Sequence, residues 1–144
     1  MPDPITVLLT ALAAGATQES IKGALLGLLE GTGKAAAITA EIFLEQLHAE
    51  LIDSTLDTSS VQGLELAILR DEARKSNVKS TVGLKTFAER VKRTNWATAD
   101  GVRILSLAAA KTAPAILLVF PVATVIGVVQ GVWKGLEKFS SRFQ

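Results

Sequence analysis

The sequence has no cysteine and no tyrosine, and only one histidine and one methionine among its 144 residues. Without cysteine there is no disulfide framework, no thiolate zinc site and no thiol nucleophile, and redox chemistry says nothing about compartment. Charged side chains make up 20% and aromatic ones 5%, while 49% of the residues are apolar. That apolar content excludes intrinsic disorder, since such a chain has ample surface to bury. Mean hydropathy is +0.37, high for a protein that lives in water. A chain of this length is expected to form one domain that buries roughly 70% of its unfolded surface.

Runs that alternate with period two are also missing, which removes the usual strand signal. What is present reads as helices. Asp3 followed by Pro4 is a start signal, an acceptor for free amides and then a proline whose missing N–H costs nothing. Ile5, Leu8, Leu9 and Leu12 follow at helical spacing, and Gly15 is a stop. Thr17 is placed to cap a second helix that runs through Glu30 and is broken by Gly31-Thr32-Gly33. A third helix is expected from Lys34 to Asp53, with Ile38, Ile42, Phe43, Leu47 and Leu51 facing inward. Residues 54–60 read as a loop, 61–76 as a fourth helix, 80–93 as a short basic fifth, and 95–101 as a corner. The expected fold class is an all-α bundle of about five to six helices in one domain. Residues 1–101 form its amphipathic part, and 102–139 an apolar helix that inserts in a membrane. The opening Met-Pro-Asp-Pro carries an acid where a secretory signal has bases, so no signal peptide is read there.

The formal net charge of +1 hides a strong asymmetry. Residues 1–72 hold three bases against eleven acids, a net of −8; residues 73–144 hold twelve bases against three acids, a net of +9. Such a layout favours an acidic face meeting a basic face, within one fold or between copies. Eight bases crowd into residues 70–93: Arg70, Arg74, Lys75, Lys79, Lys85, Arg90, Lys92 and Arg93. An anionic lipid surface needs only charge, and each base near it contributes about 1 kcal/mol. A single-stranded nucleic acid would want several stacking rings among the bases, and only Phe87 and then Trp96 are nearby. Lipid is therefore the first expected partner of this segment and nucleic acid the second.

From Ile104 to Trp133 the only charge is Lys111, and Ala113 to Val129 holds 17 residues without a charged or amide side chain. Extended to Trp133, this is about 21 residues, or ~31 Å as a helix, matching a hydrocarbon core of ~30 Å. Trp133 and Lys134 form the kind of interfacial anchor that ends a span. Pro114 lies near the start of the run, and Pro121 lies inside it, where a proline kinks a helix. The competing reading is a core helix that is apolar all round because other helices surround it.

Six of the eleven glycines fall in two runs with four-residue spacing: Gly23, Gly27, Gly31 and Gly127, Gly131, Gly135. On a helix each trio forms one narrow groove, at a cost of about 1 kcal/mol per glycine against alanine. Close backbone approach of a second helix would recover that cost. The spacing resembles the glycine-zipper pattern of self-associating membrane helices, which implies a homo-oligomer. The order of acidic part, apolar helix and short basic tail is similar in outline to filamentous-phage coat proteins. The head is far too long for that family and no motif carries over.

Three chemical motifs fail on inspection. Gly31-Thr32-Gly33-Lys34 lacks the first glycine and the following hydroxyl of a phosphate loop, and a helix precedes it. Glu45-Gln-Leu-His48 has the spacing of carboxylate metal sites, but the bundle has no second histidine. No nucleophile, base and orienter can be assembled around that lone imidazole. The expectation is a non-enzymatic, self-assembling, membrane-associating helical protein of pore-forming, membrane-remodelling or virion-coat type. It carries no cofactor, metal or small-molecule substrate. The alternatives are a soluble, cytoplasmic helical adaptor or structural subunit, and a nucleic-acid-binding protein that uses residues 70–93.

Overall fold

The computed structural model describes residues 3–15 and 17–119, with side chains through residue 116. They form six helices: α1 (Pro4–Ala13), α2 (Gln18–Leu29), α3 (Lys34–Asp53), α4 (Val61–Lys75), α5 (Thr81–Arg93) and α6 (Ala99–Val119). No strand occurs among the described residues. The all-α bundle expected from the sequence is what forms.

The helix starts follow the capping logic of the sequence. The Asp3 carboxylate accepts from the Ile5 amide at 3.3 Å, with Pro4 in the first turn. Thr17 and Ser20 cap α2 reciprocally, each side chain accepting from the other's backbone N–H at 3.2 Å. Gly15 and Gly33 take φ of +85° and +99°, a conformation side chains resist, so both turns need glycine.

A repeated device starts the last three helices. In Asp57-x-x-Ser60-x-x-Gly63, Asn77-x-x-Ser80-x-x-Gly83 and Asn95-x-x-Thr98-x-x-Gly101, the first side chain accepts from the amide two residues on, at 2.9, 3.1 and 3.0 Å. The hydroxyl then accepts from the glycine amide at 3.0, 3.0 and 2.9 Å. Each glycine lies so close to the incoming chain that a Cβ would overlap the carbonyl oxygen of Asp57, Asn77 or Trp96 respectively.

α6 runs antiparallel along α3. Lys111 pairs with Glu50, and Arg103 donates to the Thr55 carbonyl at 3.1 Å. The inner face of α6 presents Ile104, Leu105, Ala108, Ala109 and Ile116 to a core built on Phe43, Leu47 and Leu51 of α3. α1 packs against α2 and α6; α4 and α5 each rest on α3, and α5 also touches α2. Buried Thr112 satisfies its hydroxyl on the Ala108 carbonyl at 2.7 Å, and Trp96 satisfies its indole N–H on the Val91 carbonyl at 2.9 Å. Pro114 lies well inside α6, on its exposed side, and exposed Ala110 is the residue whose carbonyl loses its N–H partner.

The first half of the apolar run thus belongs to the bundle's own core, as the competing reading has it for that half. Among the described residues no helix is long and apolar enough to cross a membrane. The rest of the candidate span, with Pro121, Trp133 and Lys134, lies outside the described residues.

Glycine chemistry here gives opposite signs at two positions. Gly63→Ala is expected to lower stability by about 1–3 kcal/mol through overlap with the Asp57 carbonyl. Gly23→Ala, with nothing within 4 Å of an added Cβ, is expected to raise it by about 1 kcal/mol through helix propensity. Thermal melting followed by circular dichroism checks both, and a loss at Gly23 would show that its open face is occupied.

Candidate functional site

The basic segment divides when folded. Arg70 donates to the Ser54 carbonyl at 3.2 Å and Arg74 to the Ile52 carbonyl at 3.4 Å, joined by Arg103 on Thr55 at 3.1 Å. These three guanidiniums gather where α3 ends and its last carbonyls have no helical partner. Arg103 was not singled out from the sequence. The signal for it was the unfilled end of a 20-residue helix with no base in its own last turn. Arg90 grips Glu72 through two contacts of 2.6 and 2.7 Å. Lys92 bridges Glu89 at 3.1 Å and Glu30 at 3.2 Å. The bond from Glu89 raises the Lys92 pKa above its ordinary value, burial opposes that, and Glu30 adds to the rise. Asp57 is held below the usual carboxylate value by the hydroxyl and amide of Ser59.

Four of the eight bases remain exposed, with no ion-pair partner among the described residues: Lys75, Lys79, Lys85 and Arg93. They lie on α4, the turn after it, and α5. The charge asymmetry is therefore met partly inside the fold, through Glu30–Lys92, Glu50–Lys111 and Glu72–Arg90. Lys75, Lys79, Lys85 and Arg93 are displayed outward. Phe87 and Trp96, the two rings near the basic segment, are 2% and 1% exposed and cannot stack on bases.

His48 is also committed. Its Nε2 lies 2.6 Å from the Ala73 carbonyl, and because a carbonyl only accepts, that nitrogen carries the proton. The ring stands edge-on to Phe87, centroids 5.4 Å apart. The imidazole thus ties α3 to the end of α4 and to α5, and among the described residues no three His, Asp or Glu side chains gather as metal ligands. Gly31-Thr32-Gly33-Lys34 is the junction of two helices, with Gly33 capping α3.

Between α4 and α5 lies an open groove of about 340 Å³, with Leu69, Ala73 and Phe87 on its floor and the Glu72–Arg90 pair on its rim. Its chemistry suits an apolar side chain.

The first glycine run is not one groove. Gly23 and Gly27 are exposed on α2, with no described atom within 4 Å of an added Cβ. Gly31 lies past the helix end, where its Cβ would stand 3.0 Å from that of Ala36. Among the described residues no helix uses Gly23 or Gly27 for close approach. Gly127, Gly131 and Gly135 lie outside the described residues.

No known protein family, no curated protein and no solved structure matches the chain.

His48→Ala removes a hydrogen bond and an aromatic edge from the joint between three helices. A loss of about 2 kcal/mol is expected in chemical denaturation. An unchanged midpoint would show that the joint holds without it.

Proposed function

We propose that the chain is a non-enzymatic, membrane-associating helical protein. Its folded head carries free bases toward an anionic surface, and its apolar segment beyond the head enters lipid. One observation supports this most directly: the uncharged run of the sequence continues well past Ile116, the last residue of α6 seen in the bundle core. In the sequence after it, residues 117–133 form 17 positions without a charge. As a helix that is about 26 Å, at the short end of what spans a bilayer. The head's share of the contact narrows to Lys75, Lys79, Lys85 and Arg93, since the other four bases are engaged internally. Self-association belongs to the same reading, with the open Gly23–Gly27 face as one surface that a second copy can approach closely.

Liposome flotation at two salt concentrations, followed by carbonate extraction, tests the reading. The full chain is expected to float with anionic vesicles and to resist carbonate. Replacing each free base by Gln weakens binding at low salt by roughly fivefold, from about 1 kcal/mol per base. A monodisperse protein that never floats would overturn the proposal and favour a soluble helical subunit, which the burial of Ile104 to Ile116 also fits.

Gly27→Leu tests the assembly part. No described residue lies within 4 Å of a Cβ added at Gly27, so the melting temperature of the dilute chain should hold while its sedimentation shifts toward smaller species. An unchanged sedimentation profile removes α2 as a contact between copies.

A further inference from the structure

α4 and α5 rest on α3 more than on each other, and the wedge left between them is the open groove of about 340 Å³. That volume falls within the range of small-molecule sites, roughly 300–1,000 Å³. Leu69, Ala73 and Phe87 form its buried floor. His48 fixes two of the three, through the Ala73 carbonyl and the edge of the Phe87 ring. The floor is therefore set before any ligand arrives.

The walls ask for no polar partner. Ser76 donates its hydroxyl to the Glu72 carbonyl and Thr86 to the Val82 carbonyl, each at 2.9 Å. Both walls are helices, whose backbone groups bond within themselves. A peptide lying there would bring amides and carbonyls that find no partner in the lining, at a cost for each one buried. A hydrocarbon chain brings none. From Leu69 to Ser76 the α4 wall rises about 10 Å, room for a medium-length acyl chain.

The lining leaves one charge uncompensated. Glu72 and Arg90 neutralise each other through contacts of 2.6 and 2.7 Å. Lys75 is exposed and has no ion-pair partner among the described residues. It ends α4 beside the turn that carries Lys79, and from Ala73 to Ala88 the sequence holds four bases and no acid. An anion at that end of the groove is attracted by the bases around it.

We propose that this groove binds a free single-chain carboxylate of the fatty-acid class, its tail on Leu69, Ala73 and Phe87 and its head toward Lys75. The site belongs to the folded head in water and does not rest on the membrane reading.

The probe is decanoate below its micellar concentration, compared with decanol and decyltrimethylammonium. Titration of the full chain, followed by NMR, is expected to move the Ala73 methyl and Phe87 ring signals. Affinity should be about fivefold higher for decanoate than for decanol, and lowest for the cation. Lys75→Gln should remove the advantage over decanol, while Lys34→Gln, at an exposed base outside the lining, keeps it. Thr86→Trp fills the groove from its exposed wall and should weaken decanoate about tenfold at an unchanged melting temperature. Should that variant fail to fold, Thr86→Asp puts a like charge on the wall and should weaken decanoate more than decanol. Equal affinities for decanoate and decanol, or binding only at micellar concentrations, overturn the site. So do signals that move at Val61, Leu64 and Ile68, the exposed apolar side chains of α4, instead of Ala73 and Phe87. An acidic, apolar peptide that binds where decanoate does not also overturns it. Flotation decides the membrane reading alone, whichever way decanoate behaves.

Discussion

α6 can lie close along α3 because two consecutive residues on its inner face, Ala108 and Ala109, project only methyl groups and are fully buried. Larger side chains there would push the helices apart and open voids that a close-packed interior does not tolerate. Around that seam the larger residues Ile104, Leu105 and Ile116 interlock with Phe43, Leu47 and Leu51. The ends are fixed by charge, with Glu50 on Lys111 at one level and Arg103 on Thr55 at another. Everything else rests against this pair: α1 on α6, α2 on α1 and α3, α4 and α5 on α3.

The same seam divides the charges. α3 ends where residues 52–55 turn into the next loop, and their carbonyls draw in Arg70, Arg74 and Arg103. Two of the eight bases in the segment are thereby turned to a structural task, and Arg90 and Lys92 are held by Glu72 and Glu30. What faces outward is a smaller basic edge on α4 and α5, beside an apolar stripe on the same helix pair. Such exposed pairs contribute little stability singly, typically under about 1 kcal/mol. Their consequence is geometric: they decide which bases remain available to a partner.

Much of the secondary structure was legible because its signals are local. Asp3-Pro4, Thr17, Gly15 and Gly33 set helix ends through hydrogen bonds or backbone conformations that span a few residues. The bounds of α3 follow from one amphipathic stripe. The thrice-repeated Asx-x-x-Ser/Thr-x-x-Gly turn was also present in the sequence, at spacings of 20 and 18 residues. The glycines that the fold requires at close quarters are Gly63, Gly83 and Gly101, and the four-spaced Gly23 and Gly27 stand open.

By itself the sequence determined the helical class, the approximate ends of α1 to α5 and the opposed charges of the two halves; α6 begins at Ala99, inside the stretch expected as a corner. Each depends on neighbours along the chain or on composition. The tertiary structure decided that Ile104 to Ile116 of the apolar run line the core, which four bases have no ion-pair partner among the described residues, and that His48 serves a three-helix joint. Those outcomes depend on residues 25 to 61 positions apart meeting in space. A helix face shows what it would bury or pair, and only the packing of other helices against it settles what it does.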